Sequence, residues 1–132
     1  MDILIDTNVI ISAAIFPNPR MNVFLSLVSE EHHLFLCSYS LEELRRVVAR
    51  KFPKKAHDVE NFLRKLNYTL VHTQSVDIIE DIVIRDVNDY PILASAIISE
   101  VDVLITGDKD FECLNLEKPE ILTIREFIEK FS

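Results

Sequence analysis

The stretch Ile3-Leu4-Ile5-Asp6-Thr7-Asn8 decides the fold, because a short continuous apolar run ends there in three polar residues. A run of this kind is typical of a strand buried on both faces of a parallel sheet, and the polar residues predict a turn into a helix. A carboxylate at the end of a buried strand loses much of its hydration, so Asp6 requires hydrogen-bond donors or a cation. The stretch therefore predicts a parallel α/β sheet with a polar site at its carboxyl edge.

Three further stretches place an acidic residue beside an apolar run: Leu41-Glu42-Glu43-Leu44, Val87-Asn88-Asp89-Tyr90 and Leu104-Ile105-Thr106-Gly107-Asp108. We expect Asp108 after a strand, Asp89 at the start of a helix and Glu43 in the first turn of another helix. These positions, like that of Asp6, belong at the carboxyl edge, where open parallel sheets have their functional crevice. Each acid alone is better explained as a helix cap, and Glu43 as the acidic member of a capping box with Ser40. Together the carboxylates would repel one another, which favours a bound cation.

Apolar periodicity predicts strands that alternate with helices along the chain. The predicted strands cover residues 3–5, 33–37, 69–72, 103–105 and 121–123. The predicted helices cover residues 9–16, 21–31, a segment between Ser40 and Pro53, 56–66, 90–99 and 124–131, whereas residues 76–84 suit either a short helix or an extended connector. This alternation indicates a single domain over residues 1–132, an α/β fold in which a mostly parallel five-stranded sheet forms the middle of a three-layer α/β/α sandwich.

Composition agrees with a packed domain, because the 132 residues are 48% hydrophobic and 27% charged. Cys37 and Cys113 each lie in an apolar stretch, and we interpret them as buried free thiols rather than as a disulfide or a metal pair. The first apolar run has no basic region before it and breaks at Asp6. We therefore expect no signal peptide, no membrane span and a cytoplasmic location.

The charges are unevenly distributed. A net charge of −8 argues against a phosphate-binding protein, yet a basic segment without acidic residues, residues 45–57, interrupts the acidic chain. The basic segment is either a solvated helix face or a patch that contacts phosphates. Its candidate RNA contacts are Arg45, Arg46, Arg50 and Lys51.

The types of ligand available limit which metal ion the site can bind. Carboxylate oxygens, without a Cys/His cluster at zinc spacing, indicate Mg²⁺ or Mn²⁺, and such ions usually add phosphate oxygens from a substrate. A site of this kind favours hydrolysis of phosphodiesters. Gly107 is the only glycine in the chain, which excludes a glycine-rich phosphate loop. The histidines are scattered and are interpreted as surface or core residues: His32, His33, His57 and His72.

Four motifs occur in a recognisable order: Ile3-Leu4-Ile5-Asp6-Thr7-Asn8-Val9, Ser40-Leu41-Glu42-Glu43-Leu44, Asp86-Val87-Asn88-Asp89 with Leu93-Ala94, and Leu104-Ile105-Thr106-Gly107-Asp108-Lys109-Asp110-Phe111. This ordered set resembles the PIN-domain nucleases, in particular the VapC-like group that serves as the toxin of toxin–antitoxin pairs. The resemblance implies a metal-dependent endoribonuclease that hydrolyses RNA and uses Mg²⁺ or Mn²⁺. It also implies an antitoxin that blocks the site, often through a basic residue, and a homodimer.

The resemblance assigns roles to individual positions. It implies an acidic quartet at Asp6, Glu43, Asp89 and Asp108, with Asp110 and then Asp86 as additional ligands. It implies that Thr7, Asn8 and Thr106 are polar neighbours that orient the ligands. Glu42 is one helical step of about 100° from Glu43, so we expect it to point away from the site.

Two other functions are compatible with these residues. A phosphohydrolase of small phosphoesters is one, because an Asp after the first strand also begins haloacid-dehalogenase-like sites; that family normally has a second Asp where this chain has Asn8. The other is a catalytically inactive module that binds RNA or protein. The presence of all four acids argues against an inactive module.

Overall fold

The computed structural model describes residues 1–72, 90–107 and 118–132. The strands are β1 (Asp2–Ile5), β2 (His33–Cys37), β3 (Thr69–Val71), β4 (Val103–Ile105) and β5 (Glu120–Leu122). The helices are α1 (Thr7–Ile15), α2 (Pro19–Glu31), α3 (Ser38–Lys51), α4 (Ala56–Lys65), α5 (Tyr90–Ile98) and α6 (Ile124–Phe131), with a short 3-10 turn at Pro53–Lys55.

The five strands form one sheet in the order β3-β2-β1-β4-β5, and every strand pair is parallel. β1 lies at the centre, where Leu4 is in register with Phe35 of β2 and with Leu104 of β4. Because parallel strands run the same way, their C-terminal ends meet at one carboxyl edge and their N-terminal ends at the opposite amino edge. The α/β prediction is confirmed, and the described sheet is parallel throughout rather than mostly so.

Side chains that alternate along the strands enter hydrophobic clusters on opposite faces of the sheet. Ile3 and Ile5 belong to the larger cluster, which also contains buried residues of α1, α2, α3, α4 and α6. Leu4 and Leu104 belong to the smaller cluster, in which they pack with Leu93 of α5. Each fully buried Ile or Leu contributes about 1.5–3 kcal/mol of hydrophobic free energy. Helices therefore cover both faces, as the three-layer prediction requires.

Among the helix N-termini that the structure describes together with their cap residues, three have side-chain caps. Asp6 caps α1, and Asn18 caps α2 by accepting a hydrogen bond from the Met21 backbone N–H at 2.9 Å. α6 begins with a reciprocal capping box between Thr123 and Glu126. α1 and α6 start directly after β1 and β5, so their N-termini lie at the carboxyl edge.

The prediction that Ser40 caps α3 is wrong. α3 begins at Ser38, directly after β2, and has no side-chain cap hydrogen bond at its N-terminus. Ser40 lies inside the helix, is fully buried and accepts a hydrogen bond from Cys37 Sγ at 3.2 Å. Glu43 therefore belongs to the second turn of α3 and not to a capping box. The physical reason is that α3 begins immediately after β2. Ser40 therefore lies inside the helix and cannot cap its N-terminus.

Cys37 is confirmed as a buried free thiol. Cys113 and the ambiguous segment 76–84 lie outside the described residues. Among the described helices, none combines the length and apolar character that crossing a membrane requires.

Candidate active site

Asp6 is buried at the carboxyl edge, with 5% of its surface exposed. Its Oδ1 accepts a hydrogen bond from the backbone N–H of Val9 at 2.9 Å, which is the α1 cap. Its Oδ2 accepts a hydrogen bond from the hydroxyl of Thr106, the residue after β4. Its own backbone N–H donates to the Ile105 carbonyl at 3.1 Å. The helix cap thus accounts for one carboxylate oxygen, and β4 positions the other.

The carboxyl edge gathers most of the buried polar side chains in the described part of the chain. These side chains are Asp6, Thr7, Ser40, Ser95 and Thr106. Asp6 and Thr7 follow β1, and Thr106 follows β4. Ser40 comes shortly after the end of β2. Ser40 and Ser95 have hydrogen bonds within their own segments. Asp6, Thr7 and Thr106 are therefore the buried polar side chains that mark this edge as a candidate site.

Thr7 has the least satisfied of these side chains. Its hydroxyl oxygen is buried and has no hydrogen-bond partner within residues 1–72, 90–107 and 118–132. Thr7 is 3% exposed and lies next to Asp6 in the first turn of α1. A buried hydroxyl without a partner costs about 1–3 kcal/mol. Within the described residues, this oxygen therefore lacks the partner that a buried hydroxyl normally has.

Glu43 lies on the β2 side of the edge, in a cavity of about 440 Å³. We call it the Glu43 cavity; it is lined by Tyr39, Glu43, Arg46, Val47 and Arg50. Glu43 is half-buried and accepts a hydrogen bond from the Tyr39 hydroxyl at 3.4 Å. Glu42 is exposed and does not line the cavity, as its position one helical step away predicts.

The arginines of α3 divide between two faces of the helix. Arg46 and Arg50 line the Glu43 cavity. Arg45 instead forms an ion pair with Glu60 of α4, with Nε and Oε1 2.9 Å apart. Their hydrogen bond raises the pKa of Arg45 and lowers the pKa of Glu60. The basic segment is therefore not a uniform patch, because one of its arginines is already engaged by a carboxylate.

Asp6 and Glu43 are the members of the predicted quartet that the structure describes. Asp89 and Asp108, together with Asp86 and Asp110, lie outside the described residues. Within the described ranges, no group of three or more His, Cys, Asp or Glu side chains is arranged to hold a metal ion. A complete quartet therefore stays a prediction.

The described chain nevertheless approaches the carboxyl edge at one end of each gap. The backbone N–H of Asp102, just after α5, donates to the carbonyl of Asp2 at the amino edge. α5 therefore ends near the amino edge and runs antiparallel to the strands, so its first residue, Tyr90, is directed towards the carboxyl edge. Gly107 follows Thr106 at the same edge.

The histidines are distributed over the core and the surface. His32 packs against Phe127 and Phe131, with ring centroids 5.5 and 6.2 Å apart. His33 begins β2 and faces Asp2 at 3.4 Å, both at the amino edge. His57 and His72 are exposed. The histidines thus occupy the positions that the sequence predicts.

A second cavity, of about 330 Å³, lies on the β5 side of the carboxyl edge, where the sequence predicts no site. We call it the Arg20 cavity; its lining includes Asn8, Asn18, Arg20, Gly107, Thr123 and Arg125. Arg20 and Arg125 are isolated basic residues in the sequence, far apart along the chain. Only the fold of α2 and α6 brings them to one cavity, and no local motif marks them.

Comparison with known proteins identifies the family. A family model described as the PIN domain matches residues 2–110. The structure is similar to a chain in the crystal structure of VapBC2 from Rickettsia felis bound to a DNA fragment from their promoter, with a TM-score of 0.72. That similarity covers 92% of this chain and 97% of the other at 19% sequence identity. Comparison with curated proteins gives no match. Because the family model spans most of its length, the chain belongs to the PIN-domain family.

Proposed function

We propose that this protein is a divalent-metal-dependent endoribonuclease and the toxin of a toxin–antitoxin pair. The observation that carries the proposal is Asp6, a buried carboxylate whose two oxygens are oriented by Val9 and Thr106 at the end of the central strand. Membership of the PIN-domain family supports nuclease chemistry. The structural similarity to VapBC2 supports an antitoxin partner.

The described residues fit a hard divalent cation. Asp6 offers carboxylate oxygens and Thr7 a buried hydroxyl oxygen without a partner in the described structure. Oxygen donors of this kind suit Mg²⁺ or Mn²⁺. We propose that the cation is held by Asp6, Glu43, Asp89 and Asp108, with Asp110 as a further ligand. When bound, the cation lowers the pKa of a water and stabilises negative charge on the phosphate.

Neighbouring residues of the protein orient the acidic side chains of the proposed site. The Val9 N–H and the Thr106 hydroxyl fix the orientation of the Asp6 carboxylate before any substrate arrives. Orientation by neighbouring donors maintains the ligand geometry on which such sites depend. On the β2 side, the Tyr39 hydroxyl donates a long hydrogen bond of 3.4 Å to Glu43. Residues from β1, β4 and α3 thus supply a preorganised polar surface from which water is partly excluded.

RNA is the proposed substrate because cationic side chains lie beside one of these acids. Arg46 and Arg50 share the Glu43 cavity with Glu43, and guanidinium groups bind phosphate through paired N–H donors. Lys51 is exposed at the end of the same helix. Arg45 is the least suitable contact, since its guanidinium is bound to Glu60.

The test compares Asp6→Asn with Asp102→Asn, a matched change at the amino edge. We expect the parent protein to cleave single-stranded RNA with Mg²⁺ or Mn²⁺ and to lose that activity in EDTA. Asp6→Asn should cleave more than about 100-fold slower, beyond the upper end of what the loss of an outer-shell ligand partner costs. Asp102→Asn should match the parent, and thermal melting should show both variants folded. Equal cleavage by Asp6→Asn and the parent would show that the assignment is wrong. Turnover of a phosphomonoester without RNA cleavage would instead favour a phosphohydrolase.

A further inference from the structure

The Arg20 cavity lies at the same edge as Asp6 but on its other side. Its lining comes from Asn8 in the first turn of α1, Gly107 after β4 and Thr123 after β5. Asn8 is separated from Asp6 only by Thr7, so the Arg20 cavity adjoins the candidate active site. The Glu43 cavity belongs to α3, which follows β2. Because β1 lies between β2 and β4, Asp6 stands between the two cavities along the edge.

The lining of the Arg20 cavity suits an anion. It contains Arg20 and Arg125, and no described carboxylate lines it, although the chain carries 22 acidic residues. Arg20 is exposed, and within the described ranges no carboxylate lies at ion-pair distance from it. Arg125 uses its Nε–H for Glu129 at 3.1 Å, and a guanidinium has further N–H donors. The cavity therefore offers cationic donors in a protein that is otherwise acidic.

Gly107 lines the Arg20 cavity and adds no side chain to it. A Cβ added at Gly107 would meet no atom of the described residues within 4 Å. Gly107 directly follows Thr106, the residue that positions Asp6 Oδ2. The cavity lining therefore reaches the backbone next to Thr106. Its volume is near the lower end of small-molecule pockets, on the order of 300 Å³, which suits one nucleotide unit rather than folded RNA.

We propose that the Arg20 cavity binds a backbone phosphate of single-stranded RNA adjacent to the phosphodiester that is cleaved, through Arg20 and Arg125. The inference rests on the proposed function, since it assigns a subsite to the same substrate. Arg46 and Arg50 in the Glu43 cavity lie on one side of Asp6, and Arg20 and Arg125 lie on the other. A strand laid along the carboxyl edge thus has cationic partners for its phosphates on both sides of Asp6.

The test removes the two arginines singly and together, as Arg20→Ala and Arg125→Ala, with Lys118→Ala as the control. Lys118 pairs with Asp102 at the amino edge, so its removal changes the net charge equally without touching the cavity. Binding of a fluorescent single-stranded RNA is measured by anisotropy in EDTA over a range of salt concentrations. Each arginine variant should bind about tenfold more weakly. The negative slope of log K against log salt should become shallower by about 0.7 for each phosphate that the variant no longer binds.

Cleavage kinetics separate this inference from the proposed function. For RNA longer than a dinucleotide, the variants should raise KM with kcat retained, because the phosphate that Arg20 and Arg125 bind is not the one that reacts. A parent that cleaves RNA while the arginine variants behave like Lys118→Ala overturns the subsite and leaves the nuclease. A parent that binds RNA without cleaving it, with arginine variants that lose binding, supports the subsite and overturns the nuclease. A parent that neither binds nor cleaves RNA overturns both.

Discussion

Asp6 and Asp102 lie at opposite edges of the same sheet and differ in how their charge is accommodated. Asp6, at the carboxyl edge, is 5% exposed, whereas the Asp102 side chain, at the amino edge, is 42% exposed. Asp102 accepts a hydrogen bond from the Asp2 backbone N–H at 2.9 Å and pairs with Lys118 at 3.7 Å. The Asp2 hydrogen bond and the attraction of Lys118 lower the pKa of Asp102. Asp6 also accepts hydrogen bonds from oriented donors, the Val9 N–H and the Thr106 hydroxyl, but it does so in the interior of the protein.

The difference separates a structural acid from a candidate functional one. An exposed pair such as Asp102–Lys118 is worth about 0–1 kcal/mol and is screened by salt. A buried carboxylate costs more to maintain, because it has given up hydration, and its field acts through a medium of lower effective dielectric constant. Oriented dipoles in such a setting are the arrangement from which charge stabilisation in catalysis derives. Burial of Asp6 at the carboxyl edge therefore lowers the free energy of unfolding, whereas the exposed Asp102 at the amino edge does not.

The difference between the two edges is tested most directly at Thr106. Thr106→Val keeps the size of the side chain but removes the donor to Asp6 Oδ2. We expect RNA cleavage or metal affinity to fall about 10- to 100-fold, the usual cost of losing an outer-shell partner. Steady-state cleavage and calorimetric titration with Mn²⁺ measure the two effects.

Thr106→Ser retains the hydroxyl and should restore most of the activity. At the amino edge, Lys118→Ala removes the partner of Asp102 and should change the free energy of unfolding by less than about 1 kcal/mol, with no effect on cleavage. Undiminished metal affinity and cleavage in Thr106→Val would remove the distinction between the two edges, because the donors around Asp6 would then have only a structural role.

A smaller effect on RNA binding is expected along α3. Variants of its arginines test whether the functional surface extends along this helix away from the carboxyl edge. Arg46→Gln and Arg50→Gln should each weaken RNA binding several-fold, up to about tenfold, and flatten its salt dependence. Arg45→Gln should leave RNA binding unchanged, because Arg45 is engaged by Glu60. Its measurable effect should be a loss of stability of about 0.2–1 kcal/mol. Equal RNA affinity in all three variants would mean that the basic segment is a solvated helix face.

Most of the fold is predictable because its signals are local. The buried run Ile3-Leu4-Ile5 is apolar at each position, as a central parallel strand requires, and the structure has β1 there. The bounds of α6 agree with the prediction, since Thr123 and Glu126 form a complete capping box. α3 shows the limit of this reasoning. The capping pattern at Ser40 is equally local, but α3 begins two residues earlier, directly after β2. The Ser40 side chain is buried inside the helix, where it accepts a hydrogen bond from Cys37.

The site is less predictable, because its contacts join distant parts of the chain. Asp6 is recognisable from its own stretch, but its hydrogen bond from Thr106 depends on the pairing of β1 with β4. The two cavities that flank it depend on where α2, α3 and α6 pack. Arg20 and Arg125 carry no motif, and sequence alone gives no reason to relate them.

The smallest expected effect concerns His32, near the amino edge and away from the site. Burial and the nearby N-terminal amine lower the pKa of His32, against the opposing effect of Glu31. Its Nε2 is buried without a partner among the described residues. In the unfolded chain the imidazole titrates near its ordinary value of about 6.5. Below that pH the unfolded state binds a proton that the folded state resists, so stability should fall as the pH decreases.

His32→Phe removes this titration while preserving an aromatic ring against Phe127 and Phe131. Urea unfolding at neutral and mildly acidic pH should show a smaller loss of stability in His32→Phe than in the parent, by less than about 1 kcal/mol. His57→Phe, at an exposed histidine, should lose as much as the parent. If His32→Phe is as acid-sensitive as the parent, the acid sensitivity arises elsewhere and the assignment to His32 is wrong.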